Sequence, residues 1–162
     1  MHSPHNSITV NSIKEVSPLK TDCELPAKQD FAQLMDTNQQ AITAALEVMD
    51  KHISALNDRN TLELATTLHF PHFRLVGTSL KVWETADRYF DDFTARAGAN
   101  WAYTKLASIT IISANANKVH LDVQINRFNA QDQLIADFRS IWVITEIGGV
   151  WAAQLRSSLA PT

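Results

Sequence analysis

A lone cysteine, Cys23, stands among 162 residues, so no disulfide can form within the chain and the fold must rest on its packed core. Long apolar runs are also missing. None approaches the ~20 residues that a membrane-spanning helix requires. The opening stretch "MHSPHNSITVNSIKEVSPLK" has neither a basic start nor an apolar segment, so no secretion signal is expected. Basic residues are not in surplus: 14 Lys and Arg face 17 Asp and Glu, a formal net charge of −3. Without cations to neutralise phosphates, nucleic acid is not an expected partner. A membrane is not expected either, and the cytoplasm is the expected location. Proline is absent from the body of the chain except at Pro71, the other four lying at Pro4, Pro18, Pro26 and Pro161.

What remains is ordinary for a globular domain: 45% hydrophobic and 19% charged residues. The length suits one domain. Residues 1–30 are polar, aperiodic and hold three of the prolines. They predict a flexible arm, either a plain leader or a strap around a partner subunit. Residues 31–162 form the expected single domain.

That domain divides into a helical half and a strand half. Ile42, Ala45, Leu46, Met49, Ile53 and Leu56 follow the 3.6-residue period and predict a helix over 38–56. Thr37 with Gln40 predicts its capping box. Asn60 with Glu63 predicts the cap of a short second helix, and Pro71 its end. "HFRLVG" and "SLKVW" read as a hairpin turning at Gly77. Thr85 starts and Gly98 stops a third helix, with Ala86, Tyr89, Phe90, Phe93 and Ala97 on one face. From Trp101 the period becomes two. "YTKLASITIISA", "KVHLDVQINRF", "LIADFRSIWVITEI" and "VWAAQLRSSLA" are strands, the last pair joined by the Gly148-Gly149 turn. The expected class is α+β, a curved antiparallel sheet packed on three helices from the N-terminal half.

Candidate site residues follow from chemistry and parity. His52 lies on the apolar stripe of helix one, as a pocket donor or as a half-buried ring satisfied locally. His69 and His72 flank Pro71. A helix stop between them removes their helical spacing, and three residues along a strand point to opposite faces. With the one cysteine distant, a metal site is not expected. His72 alone keeps a claim as a pocket group. Arg127 continues the parity of Val119, Leu121, Val123 and Ile125, and a charge on an apolar face must be paired or face a pocket. Arg139 and Arg156 carry forks suited to a carboxylate, or sit in cross-strand ion pairs with Asp122 or Asp137. Trp142, in mid-strand, lines a cavity or a dimer face, whereas Trp83, Trp101 and Trp151 sit where large rings close cores. Tyr103, heading the first long strand, completes the candidate ligand contacts. Asp91 and Asp92 read as a solvated helix face.

The element order resembles the nuclear transport factor 2-like superfamily, a cone-shaped α+β fold that includes ketosteroid isomerases, scytalone dehydratases, limonene epoxide hydrolases and SnoaL-like polyketide cyclases. The resemblance covers residues 36–160. It is carried by "ALNDRN", "LHFPHFRLVG", "KVWETADRYFDDF", "KVHLDVQINRF" and "GGVWAAQLRSS", and is nearest to a SnoaL-like branch. It implies a pocket between the concave sheet face and the helices, and homodimers formed through the sheet. It does not imply a reaction. Ketosteroid isomerases keep an acid near the end of the first strand, a tyrosine late in helix one and a protonated acid on a late strand. Here those places fall at Val76-Gly77, near His52 and near Ile141-Trp142, which leaves two roles without a titratable group. The expected ligand is a small, largely apolar molecule bearing one anionic or carbonyl group, and no cofactor is expected. Two other functions stay open. One is an isomerase, dehydratase or cyclase acting on a small carbonyl or polyketide-like substrate, with His52 or His72 as base and an arginine as stabiliser. The other is a structural dimerisation module.

Overall fold

The computed structural model describes residues 28–159. The arm expected over 1–30 therefore lies outside the described residues, except for its last three, which open the first helix. That helix, α1, runs Lys28–Asn57, starting well before the expected Asn38. Thr37 does not cap it: its hydroxyl donates to the Gln33 carbonyl at 2.8 Å, and the Gln40 amide donates to Asp36 at 3.2 Å. Both are contacts within a helix already under way. The physical reason is that no glycine or proline follows Pro26 to break it, and Ala32, Gln33, Leu34 and Met35 all favour helix. The packed stripe begins later, at Ala41, and continues through Ala45, Val48, Met49, His52, Ile53 and Leu56.

The Asn57 side chain ties the end of α1 to the sheet. Its Oδ1 accepts from the Thr104 N–H at 2.8 Å and its Nδ2 donates to the Thr104 carbonyl at 2.9 Å, as one rung of a ladder would. Helix α2, Thr61–Thr66, starts at Asn60, whose side chain accepts from the Glu63 N–H at 3.1 Å. It stops ahead of Pro71. Thr67 closes it by donating both N–H and hydroxyl to the Leu64 carbonyl.

Pro71 is thus not a helix stop. It lies inside strand β1, Leu68–Val76, after a cis Phe70–Pro71 peptide. The strand accommodates it because the pairing with its neighbour shifts between Leu68 and Phe73, where the missing N–H costs no ladder bond. Gly77, at φ 56°, turns β1 into β2, Ser79–Trp83. Helix α3, Ala86–Ala97, starts with Thr85 accepting from the Arg88 N–H and ends at Gly98, φ 81°.

Four long strands follow: β3 Tyr103–Asn115, β4 Lys118–Phe128, β5 Leu134–Ile147 and β6 Val150–Ser158. The sheet order is β2-β1-β6-β5-β4-β3. All neighbours are antiparallel except β1 and β6, which run parallel in the middle of the sheet. The alternation of β4 is realised residue by residue: Val119, Leu121, Val123 and Ile125 are buried, and His120, Asp122, Gln124 and Asn126 lie on the other face. Register aligns Leu121 with Trp142, Ile125 with Phe138, Trp142 with Arg156 and Arg156 with Arg74. These residues form the concave face, and the three helices close over it to make the core with Met49, Leu64, Tyr89 and Phe93. No helix among the described residues is long and apolar enough to cross a membrane.

Candidate functional site

Three arginines, two from the concave face and one from α3, each have aromatic rings against the guanidinium. Arg156 lies 4.9 Å from the Trp142 ring centre and 5.5 Å from that of Tyr89. Arg127 lies 4.8 Å from Phe138 and 4.9 Å from Phe93. Arg96, from α3, lies 5.9 Å from Trp83 and 6.0 Å from Phe93. Arg74, the register partner of Arg156 on β1, is the fourth cation. The ring faces hold these charges through their quadrupoles, which substitutes only in part for water.

Counter-charge is scarce. Asp92 takes Arg96 at 3.0 Å and Lys81 at 3.4 Å, so it is not merely solvated. Burial pushes its carboxyl up, but the Arg96 hydrogen bond and the two cations outweigh this and hold it below the usual range. Among the described residues no carboxylate forms an ion pair with Arg74, Arg127 or Arg156. Arg74 donates to the Ser158 hydroxyl at 3.0 Å. Burial and neighbouring arginines push Arg74 down to about 9 and Arg127 down to about 10, and burial depresses Arg156 as well. Several buried N–H groups have no acceptor among the described residues: Nε of Arg74, Arg127 and Arg156, and Nη2 of Arg96 and Arg156. Native proteins seldom leave such groups unmet.

Three of these arginines border a cavity of about 760 Å³, within the range of small-molecule sites. Arg74, Arg96 and Arg127 line it with Val76, Ala136 and Phe138. Exposed Ser79, Lys81, Ile135 and Asp137 mark its mouth, between β2 and the start of β5. Behind Arg127 and Phe138 lies a second void of about 10 Å³, lined by His52, Tyr89, Trp142 and Arg156 among others. Arg127 and Phe138 line both, so they form the partition between them.

The two buried histidines bond within the protein, through both ring nitrogens of His52 and through Nδ1 of His72, whose Nε2 has no partner among the described residues. The Thr67 hydroxyl spends its proton on the Leu64 carbonyl, so it accepts from His52 Nδ1–H at 2.9 Å. His52 Nε2 is then the acceptor for the Tyr89 hydroxyl at 3.2 Å. His72 Nδ1–H donates to the Ala153 carbonyl at 3.0 Å, and its ring packs among Trp83, Tyr89 and Trp142. Burial, reinforced by Arg156, lowers His52 well below the usual histidine value and His72 to about 3. Both rings are neutral near neutral pH.

Of the residues singled out from sequence, the structure gathers His52, His72, Arg127, Trp142 and Arg156 around one cluster. Two lie elsewhere. Arg139 stands on the outer sheet face, where it makes a double hydrogen bond to Asp122, through Nε at 2.6 Å and through Nη2. Tyr103 stacks on Phe128 and donates to Asp132 at 2.7 Å, away from the cavity. His69, part-buried, bonds to the Thr145 carbonyl. Arg74, Arg96 and Tyr89 were not foreseen as site residues. Among the described residues no group of three or more His, Cys, Asp and Glu could hold a metal ion.

The fold is that of the nuclear transport factor 2-like, cystatin-like proteins. A Novosphingobium aromaticivorans protein of that description aligns at a TM-score of 0.65 with 12% identity, covering 82% of this chain and 89% of its own. A Cytophaga hutchinsonii nuclear transport factor 2-like protein aligns at 0.57 with 17% identity, covering 76% and 99%. A second Novosphingobium protein, provisionally named a scytalone dehydratase, aligns at 0.58 with 15% identity, covering 80% and 89%. No sequence-family profile and no curated protein matches the chain. At these identities the likeness is one of fold, and a fold of this kind carries no particular reaction with it.

Proposed function

We propose that the protein binds a small, largely apolar molecule in the cavity between the concave sheet face and α3. The cavity itself carries this reading: about 760 Å³, reached past Ser79, Lys81 and Asp137, with Val76, Ile135, Ala136 and Phe138 along its walls. The histidine geometry favours binding over proton transfer. A general base must reach the moving proton directly or through one water, whereas His52 already accepts from Tyr89 and His72 lines neither cavity. Calorimetric titration with naphthylmethanol, a neutral probe of suitable size, tests the reading. Saturable binding is expected, weakened at least tenfold in Ala136→Trp, whose new side chain fills the concave face opposite Arg127. A folded wild-type protein that takes up no naphthyl probe, neutral or charged, contradicts it.

The protein also acts, in this proposal, as a homodimer through the outer sheet face. Register places Leu75, Leu80, Val82 and Leu155 together on that face, between 39% and 62% exposed. An apolar patch of this kind is uncommon on a monomer. Sedimentation at micromolar concentration should give twice the 18.1 kDa chain mass, and Leu155→Glu should halve it. A monomeric wild type overturns the dimer.

A further inference from the structure

We infer that the cavity's ligand is an organic carboxylate, its acid group held by the edges of Arg74, Arg127 and Arg156 and its apolar body lying toward the mouth of the cavity. The inference rests on the cavity-binding reading above and names the chemical class that the cavity selects. It starts from how the guanidiniums are held. Arg127 and Arg156 each have aromatic rings against them. Rings on the faces leave only the N–H edges to make hydrogen bonds, and Nε of Arg74, Arg127 and Arg156, with Nη2 of Arg156, have no acceptor among the described residues. A carboxylate accepts from such edges in plane, through two oxygens.

Charge points the same way. Arg74, Arg96, Arg127 and Lys81 line the cavity with Asp137 as the one carboxylate, and Arg156 stands behind the Arg127–Phe138 partition. Asp92, the nearby acid on α3, is already shared by Lys81 and Arg96. A neutral ligand would leave the remaining cations buried and unmet, whereas an anion satisfies them in a site of reduced dielectric. The inner void is too small for a carboxyl group. Arg127 therefore turns from its seat between Phe93 and Phe138 when the acid reaches Arg156, or the acid stops at Arg74 and Arg127. Both poses use the Arg74 and Arg127 edges, and the deeper one adds Arg156. The apolar body fits the walls of Val76, Ile135, Ala136 and Phe138.

The test compares naphthoate, naphthylmethanol and naphthyl phosphate on the full chain by calorimetry. Naphthoate should bind at least tenfold more tightly than naphthylmethanol, and Arg127→Met should erase that preference. Arg127→Lys, which keeps the charge but loses the fork, should retain only part of the preference. Equal affinity for naphthoate and naphthylmethanol overturns the inference and leaves the cavity reading standing. Preference for naphthyl phosphate over naphthoate overturns the carboxylate class. Binding of none of the three overturns the cavity reading and the inference together.

Discussion

Acidification from about pH 6.5 to about pH 5 should cost the protein about 2 kcal/mol of stability through His72 alone, at about 1.4 kcal/mol per pH unit. His72 is fully buried with its pKa lowered from 6.5 to about 3. The unfolded chain gains a proton as pH falls through 6.5, and the folded chain does not until about 3. Above that window both states are neutral at this ring and the histidine takes nothing from stability. Within it the unfolded state binds more protons, so stability falls with pH. His52 is lowered for the same first reason, burial, and adds a parallel slope. Carboxylates held low by cations, Asp92 and Asp122, act below the usual carboxylate range and leave this window to the histidines. Urea titrations at several pH values measure the slope. His72→Leu should remove about half of it, despite its own cost from the lost bond to Ala153. A wild-type slope near zero between about pH 6.5 and about pH 5 would show that these rings are not buried as neutral groups.

Arg156→Met should make the ligand-free protein more stable, by about 1–4 kcal/mol, the gain seen when buried ionic groups give way to apolar ones. Arg156 is 4% exposed and forms no ion pair with a carboxylate among the described residues. Keeping its charge out of water costs several kcal/mol, and stacking on Trp142 and Tyr89 returns about 2 kcal/mol or somewhat more. The balance is unfavourable unless an anion meets the arginine, as the proposed carboxylate would. The midpoint of urea unfolding should rise with the slope unchanged, while naphthoate affinity falls. A loss of stability exceeding about 1 kcal/mol would make Arg156 a structural residue and remove the reason to seek an anion.

Much of this fold is legible in the sequence where local chemistry and global packing agree. Strands β4 and β5 fall residue for residue on the stretches read from alternation, because one face is core and turn residues bound them. Thr85 and Gly98 delimit α3 for equally local reasons. The start of α1 was misplaced because burial, not helix propensity, begins at Ala41. Pro71 was misread because its tolerance within β1 depends on a pairing shift against β6, a partner more than 70 residues away.

The site divides in the same way. Parity puts Arg127 on the inner face of β4, where the structure has it. Of the two readings open for Arg139 the structure shows the ion pair with Asp122, as parity implies: Phe138, Ser140, Trp142 and Ile144 are buried on β5, and Arg139 alternates with them. Arg74 shares the parity of His72 and Val76, and Arg96 follows Phe93 by three residues on α3. Neither signal is strong alone, because charged side chains usually face water. What no single stretch could reveal is convergence. Four arginines from β1, α3, β4 and β6 meet only after the register aligns Arg74 with Arg156 and α3 crosses above them.

A crystal structure with naphthoate bound tests the central claim most directly. The carboxylate oxygens should lie within hydrogen-bonding distance of Arg127 Nε and of Arg74 or Arg156, with the naphthalene ring against Phe138 and Val76. Naphthoate seated outside the cavity, or inside it with its carboxylate turned to solvent at Lys81, would contradict the claim.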